Sequence, residues 1–274
     1  MAQPPRKMTN VVIAGGTGSL SPATIKHLPK THFKVAVLTR DPSKAKLPPG
    51  VEAIKADYTS AESLSKSLMG RGFDAIIIIP SRRAHQASLV TMQAAVDAAK
   101  AAEGEITYTG INTGMFLDMA LDKDSFVRLS GNYKTRIHDG GDVPISATTH
   151  DDIGKAIVAA LMNPDQTVNK VSNIHSVVMT QDQMLEFAHQ AASEAEFHVE
   201  PVDTKELEDA AWERYCAGQR DPLSVHDFAL RAGFGLGNGH LERTDNELLG
   251  IEQWSDEGLR EEVTVRLARH RAML

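Results

Sequence analysis

The first half of the chain alternates between short apolar runs and longer amphipathic segments. The runs at 11–14, 33–38 and 51–54 have the length of strands, and the run at 75–79 contains four consecutive isoleucines. An apolar run without polar alternation indicates a strand buried on both faces, as in a parallel sheet. Helical patterns separate the runs, so the sequence predicts an α/β protein with a doubly wound parallel sheet.

Capping residues predict where several helices begin. A Ser or Thr side chain followed three residues later by an acid or amide can satisfy free backbone N–H groups at a helix start. The pairs are Thr59 with Glu62, Thr149 with Asp152, and Thr180 with Gln183. Helices are therefore expected to start near 60, 150 and 181, and an alanine-rich helix is expected over 84–102.

The second half of the chain is more polar and mostly helical in pattern. A chain of 274 residues suits a nucleotide-binding domain with a smaller lobe. We predict the domain over 1–175 and a helical lobe, for substrate or partner binding, over 176–274. The chain is expected to interleave between the two.

A glycine-rich turn joins the first predicted strand to the first predicted helix. Residues 15–21 read Gly-Gly-Thr-Gly-Ser-Leu-Ser. Glycines let backbone N–H groups approach a pyrophosphate, and the helix N-terminus attracts its charge. The alternative is an ordinary turn, but the strand before and the helix after favour a dinucleotide site in a Rossmann-type sheet. The predicted cofactor-binding residues here are Gly15, Thr17, Gly18, Ser19 and Leu20. Ser21 replaces the usual third small residue, and its hydroxyl is expected to tighten the contact between helix and strand.

The end of the second strand carries Thr39 and Arg40, where an NAD site usually places an acid. An arginine there can hold a 2′-phosphate through its planar fork, with Thr39 and Lys44 as further donors. The alternative is that Arg40 is a solvated surface residue beside Asp41. We favour NADP(H) as the cofactor.

Two further segments are predicted to contact the cofactor. Asp57 and Tyr58 follow the third strand, where an acid often faces the adenine amino group, although Asp57 could equally be a turn residue. Pro80 and Ser81 end the fourth strand, where the chain is expected to run beside the ribose and nicotinamide.

Longer motifs resemble a known family. The sequences VIAGGTG at 12–18, VLTR at 37–40, QAAVDAA at 93–99 and TYTGINTGMFLD at 107–118 are similar to the NmrA-like and isoflavone reductase-like branch of the short-chain dehydrogenases/reductases, as are 138–142 and 148–156. The resemblance extends to about residue 191. It implies a substrate pocket lined by Asn112, Thr113, Met115 and Phe116.

The chain departs from this family after Lys100. Family members continue with a strand, a loop and a helix that bears the active-site lysine, whereas here about 30 residues, one β–α unit, are missing. The sheet should then have a closed gap or a bare edge. No tyrosine is followed four residues later by lysine, and Lys123 and Lys134 are interpreted as solvated. We assign no catalytic residue.

Composition limits the partners and the compartment. The net charge of −7 argues against nucleic acid, and no apolar stretch is long enough to span a membrane. One cysteine, Cys216, and a start without a leader pattern predict a cytoplasmic protein. The histidines at 138, 150 and 175 lack metal-ligand spacing, so no metal site is predicted. A homodimer or a regulatory protein partner remains open.

The resemblance implies an NADPH-dependent oxidoreductase for a small compound of the aromatic or secondary-metabolite type. The alternative is an inactive NADP-sensing regulator of the NmrA type, which the missing lysine unit favours and the retained 107–118 segment disfavours. A third possibility is a truncated or alternatively spliced chain that folds poorly.

Overall fold

The computed structural model describes residues 8–15, 20–79, 85–101, 107–122, 134–219 and 221–271. Two compact units are present. Unit 1 contains 1–110 and 153–171, and unit 2 contains 111–152 and 172–274. The chain thus crosses between the units and returns. The sequence placed 111–152 in the first domain, whereas the contacts group this segment with the C-terminal part of the chain.

The elements of the described residues are numbered in chain order. The strands are β1 (Asn10–Ala14), β2 (Lys34–Thr39), β3 (Glu52–Lys55), β4 (Ala75–Ile78), β5 (Thr109–Asn112), β6 (Met115–Phe116), β7 (Lys134–His138), β8 (Ile145–Thr148), β9 (Lys170–Asn173), β10 (Val177–Met179) and β11 (His198–Val202). The helices are α1 (Ser21–His27), α2 (Ala61–Leu68), α3 (His85–Ala101), α4 (Leu117–Asp122), α5 (His150–Met162), α6 (Pro164–Thr167), α7 (Gln181–Ala191), α8 (Thr204–Cys216), α9 (Pro222–Leu230), α10 (Asn246–Leu249) and α11 (Asp256–Arg271). A π-helix spans Arg231–Gly235. Within the described part of the chain, no helix has the length and apolarity to cross a membrane.

Unit 1 is built on a four-stranded parallel sheet in the order β3-β2-β1-β4. Alternate residues of β1 are buried in two different clusters. Val12 packs with Leu64 of α2, whereas Ile13 packs with Ile25 of α1. Helices therefore cover both faces of the sheet, and the predicted doubly wound α/β fold is confirmed.

The strand of isoleucines, β4, lies at the edge of this sheet. Among the described residues its hydrogen-bonded neighbour is β1, and β5 pairs with β9 instead. A bare edge beside β4 is what the loss of a β–α unit after Lys100 predicts.

Two of the three predicted helix caps are present. Thr149 Oγ1 accepts from Asp152 N at 3.0 Å, and Thr180 Oγ1 accepts from Gln183 N at 3.1 Å. The cap predicted at Thr59 is wrong by one residue. Ser60 caps α2 by accepting from Ser63 N at 3.2 Å, because the Thr59 hydroxyl is already bonded to a neighbouring aspartate.

Unit 2 has small sheets and several helices around its own apolar core. β10, β8 and β6 form a mixed sheet, and β11 pairs with β7 in parallel. Fully buried side chains from α4, β10 and α7 meet in this core. They include Leu121, Met179 and Met184.

Burial lowers the pKa of two histidines of unit 2. His138 at the end of β7 stacks on Phe234, with ring centroids 5.0 Å apart, and its Nδ1 lies 3.2 Å from Gln181 Oε1. Burial lowers the pKa of His138 below 6.5, an effect that Gln181 partly opposes. Burial likewise lowers the pKa of His175, whose Nδ1 lies 3.0 Å from Ser146 Oγ. Both rings therefore favour the neutral form.

One packing contact in unit 1 admits no side chain. Gly154 of α5 lies against α1, and a Cβ there would stand 2.8 Å from the Ala23 carbonyl oxygen. Gly154→Ala should lower the free energy of unfolding by about 1–3 kcal/mol, because the clash outweighs the roughly 1 kcal/mol gain in helix propensity. Urea unfolding measures this change.

The matched control is a second glycine within an α-helix, Gly258 of α11. A Cβ there would lie 3.7 Å from its nearest neighbour, Trp254 Cβ, which is an ordinary contact. Gly258→Ala should leave stability unchanged or slightly raised. An equal decrease in the free energy of unfolding of the two variants would contradict the close packing of Gly154 against α1.

Lowering the pH should destabilise the protein through its buried histidines. Since the pKa of His138 is lower in the folded protein than its ordinary value of 6.5, the unfolded chain binds more protons between the two values. The melting temperature should therefore fall by on the order of a few degrees as the pH drops through and below 6.5. His138→Gln should flatten this dependence, whereas His198→Gln, at an exposed strand position, should not. A pH dependence that is unchanged by His138→Gln would refute the assignment.

Candidate functional site

The glycine-rich turn begins with a residue that must be glycine. Gly15 has a φ of +86°, and a Cβ there would lie 2.6 Å from the Ile79 carbonyl oxygen. Positive φ and close backbone approach are both tolerated only by glycine. The Gly15 carbonyl accepts from Ser21 Oγ at 2.6 Å. The Ser21 hydroxyl thus ties α1 to the end of β1, as expected, and the buried Leu20 precedes it.

Tyr58 contacts the same residue from the other side. Its hydroxyl lies 3.3 Å from Gly15 N, which donates to it, and it donates to Leu38 O at 2.9 Å. Burial raises the pKa of Tyr58 above 10.0, although the Gly15 N–H and the nearby Arg40 charge partly oppose this rise. The phenol therefore stays protonated and able to donate.

The carboxyl end of β2 presents an exposed arginine. Thr39 is buried, and its Oγ1 lies 3.4 Å from both the N and the O of Asp41. The Asp41 carboxylate accepts from Ser43 N and Oγ and pairs with Lys44 Nζ at 3.2 Å. These contacts lower the pKa of Asp41, the Ser43 hydroxyl most strongly. The acid next to Arg40 is therefore engaged elsewhere.

Asp57 is used, at least in part, as a turn residue. Its Oδ1 accepts from Thr59 N at 2.9 Å and Thr59 Oγ1 at 2.7 Å. These hydrogen bonds lower the pKa of Asp57. The turn interpretation of this aspartate therefore has direct structural support, and its contact with adenine stays a prediction.

Five predicted cofactor residues lie outside the described residues: Thr17, Gly18, Ser19, Pro80 and Ser81. Several of the predicted cofactor residues that the structure describes lie together at the carboxyl ends of the strands of unit 1. Gly15, Thr39 and Tyr58 are joined there through the hydrogen bonds around Leu38 and Asp41, and Arg40 continues from Thr39.

The four residues predicted to line a substrate pocket lie in one segment of unit 2. Asn112 Nδ2 donates to Asn173 Oδ1 at 3.2 Å, and the Thr113 carbonyl accepts from Thr148 Oγ1 at 2.6 Å. Met115 packs against the core of unit 2, whereas Phe116 is half-buried. Asn112 and Thr113 are thus hydrogen-bonded to residues of β9 and β8. The role of this segment in substrate binding stays a prediction.

His150, considered from the sequence only as a metal ligand, lies beside Phe116. The imidazole of His150 meets the Phe116 ring edge-on, with centroids 5.3 Å apart. Asp118 Oδ2 accepts from His150 N at 2.6 Å and lies 3.7 Å from Nδ1, while Asp118 Oδ1 pairs with Arg266 at 3.1 Å. His150 Nε2 is buried without a hydrogen-bond partner in the described part of the chain. Asp118 and His150 are 32 residues apart, so no local pattern could have linked them.

Comparison with known proteins matches the segment that starts at the glycine turn. Residues 15–105 match a family model described as NAD(P)H-binding. This chain contains an NAD(P)H-binding domain. The matched segment begins at Gly15, where a Cβ would meet the Ile79 carbonyl oxygen, so glycine is needed for the chain to leave β1 at this point. The positive φ of Gly15 and the start of α1 at Ser21 are the described features that fit a dinucleotide-binding turn.

Curated relatives cover nearly the whole chain at low identity. The oxidoreductase poxI of Penicillium oxalicum is 24% identical over 296 residues, which cover 92% of this chain and 91% of the relative. The oxidoreductase aprR of Aspergillus flavus is 26% identical over 280 residues, which cover 88% of this chain and 94% of the relative.

Solved structures share the fold. The complex of leucoanthocyanidin reductase with NADPH from Vitis vinifera has a TM-score of 0.71 at 15% identity and covers 93% of this chain and 99% of its own. Isoflavone reductase has a TM-score of 0.65 at 14% identity with the same coverage. The NADPH-dependent quinone oxidoreductase QOR2 of Escherichia coli, solved with NADPH, has a TM-score of 0.65 at 18% identity, again with the same coverage. The resemblance to isoflavone reductase that the sequence predicted is confirmed at the level of the fold.

Proposed function

We propose that this protein is an NADPH-dependent reductase for a small compound of the aromatic or secondary-metabolite type. The relatives named as oxidoreductases and the reductases that share the fold support the reaction class. The proposed NADP(H) site consists of Gly15, Thr39 and Arg40 together with the predicted residues of the glycine turn. The substrate class rests on the resemblance to these reductases.

The exposed side chain of Arg40 is the observation that carries the choice of NADPH. An NAD site uses an acid at the end of β2 to bind the ribose 2′-hydroxyl. Here Asp41 is held by Ser43 and Lys44, so the group free to meet the ribose is a guanidinium. A guanidinium can hold a 2′-phosphate with two parallel hydrogen bonds. Lys44 is the weaker candidate because it already has an anionic partner.

Bound NADPH would supply the hydride, and the chain would supply binding and orientation. Gly15 would bring the backbone close to the pyrophosphate, and the start of α1 would favour its negative charge. The Arg40 side chain would fix the adenosine end. In unit 2, Phe116 offers an aromatic face to a planar substrate, which suits the proposed substrate type.

The chain lacks the usual tyrosine–lysine proton relay. None of its four tyrosines is followed four residues later by a lysine. A hydride acceptor whose reduced form is only weakly basic, such as a quinone or an enone, needs the least help from an acid. The proton would then come from water or from the substrate itself. We therefore favour such acceptors.

Arg40→Ala should remove most of the preference for NADPH over NADH. Loss of a charge-assisted contact with the 2′-phosphate should weaken NADPH binding by about tenfold to a hundredfold and leave NADH binding nearly unchanged. Fluorescence titration of each reduced nucleotide measures both affinities.

Arg71→Ala is the matched control, because Arg71 is also an exposed arginine of unit 1 but lies in the loop before β4 and pairs with Glu52. It should bind both nucleotides normally. Equal affinity of the unmodified protein for NADPH and NADH would refute the assignment of Arg40.

The second candidate function is an NADP-sensing regulator without turnover, which the absence of the proton relay favours. Oxidation of NADPH, followed by absorbance with a panel of quinones, enones and aromatic carbonyl compounds, separates the two. A reductase should oxidise NADPH with at least one acceptor class, whereas a sensor should bind NADPH tightly and oxidise it with none. Tight binding with no turnover across the panel would contradict the reductase proposal.

A further inference from the structure

The hydroxyl of Tyr58 lies between the carboxyl ends of β1 and β2. It accepts a hydrogen bond from Gly15 N at 3.3 Å and donates one to Leu38 O at 2.9 Å. Ala14, the last residue of β1, is registered with Leu38 in the parallel ladder. The hydroxyl therefore lies where the two strands stop pairing.

The direction of the neighbouring carbonyls identifies which ladder bond is missing. Ile79 N donates to Ala14 O at 3.1 Å, so the polar groups of Ala14 face β4 and those of Gly15, the next residue, face β2. Similarly, Ala56 N donates to Thr39 O at 2.8 Å, so the carbonyl of Leu38 faces β1. Gly15 N and Leu38 O are thus the pair that a continued ladder would join directly.

Tyr58 replaces this direct bond with two hydrogen bonds in series. A direct ladder bond brings the nitrogen and the oxygen to about 2.9 Å, whereas an inserted hydroxyl keeps them apart. The strands therefore separate at the edge of the sheet where the glycine turn leaves β1. Gly15 is held from both sides, because its carbonyl accepts from Ser21 Oγ at 2.6 Å.

We infer that Tyr58 is a positioning residue for the nucleotide: its hydroxyl sets where Gly15 stands and so where the glycine turn meets the pyrophosphate. The inference rests on the proposed function, since it needs a nucleotide at this turn. The hydroxyl proton is used by Leu38, so the residue acts through Gly15 rather than by donating to the ligand. No other polar group contacts Gly15 N among the hydrogen bonds of the described residues.

Tyr58→Phe tests this role because it removes the hydroxyl and keeps the ring. Without the hydroxyl, Gly15 N and Leu38 O lose their shared partner, and the strand ends can close toward a direct bond. Gly15 would then move away from the position in which its backbone is proposed to meet the pyrophosphate. The dissociation constants for NADPH and NADH should both rise by about tenfold, and their ratio should stay unchanged because both carry the pyrophosphate.

The measurement is fluorescence titration of both nucleotides at a temperature where thermal unfolding shows every variant to be folded. Tyr108→Phe is the matched control, since Tyr108 is a tyrosine of the same unit with 60% of its surface exposed. It should bind both nucleotides as the unmodified protein does. An effect on folding alone would lower the melting temperature of Tyr58→Phe without changing the affinity of the folded protein, and that result would overturn the inference.

Hydrogen exchange of the Gly15 amide gives a second readout that needs no nucleotide. In the unmodified protein this amide should exchange slowly. In Tyr58→Phe its exchange rate should change: it rises if the amide loses its partner, and it takes a new value if Gly15 N bonds directly to Leu38 O. Rapid exchange of Gly15 in the unmodified protein would overturn the inference. Failure of the unmodified protein to bind either nucleotide would overturn the proposed function and this inference with it. Normal binding by both proteins would overturn the inference alone.

Discussion

The close approach of Gly15 to the carbonyl of Ile79 is the constraint on which the proposed nucleotide site depends. A side chain at this position would collide with the backbone of β4, and the backbone adopts a φ that other residues avoid. Because β1 must stop here, the chain turns away at the edge of the sheet and starts α1 six residues later, at Ser21. The positions of Tyr58 and Arg40 matter because both lie at this same edge.

Much of unit 1 could be predicted from the sequence because its signals are local. Four consecutive isoleucines predicted a strand of the parallel sheet, and β4 forms there. The predicted burial on both faces is wrong, because among the described residues β4 lies at the edge of the sheet and its side chains are only half-buried. The caps at Thr149 and Thr180 were also predictable, since each is defined by residues three positions apart. The cap at Thr59 was not, because Asp57 competes for the same hydroxyl and the helix starts one residue later.

The contacts that sequence patterns missed depend on long-range geometry. Tyr58 was expected to touch the cofactor, but the use of its hydroxyl depends on the register of β1 with β2. The contact of His150 with Asp118 joins two residues of unit 2 that lie 32 positions apart in the sequence. In both contacts the two residues are far apart in the sequence, so no local pattern links them. Solved structures at 14–18% identity share the fold, and a shared fold does not by itself determine the substrate.

The central claim is that NADPH binds at the carboxyl ends of the strands of unit 1, where Gly15, Tyr58 and Arg40 lie. The most direct test is a crystal structure of the protein grown with NADPH. The account predicts the pyrophosphate against the turn that follows Gly15, and the 2′-phosphate on the guanidinium of Arg40. A nucleotide bound at another place, or a 2′-phosphate that lies away from Arg40, would contradict it.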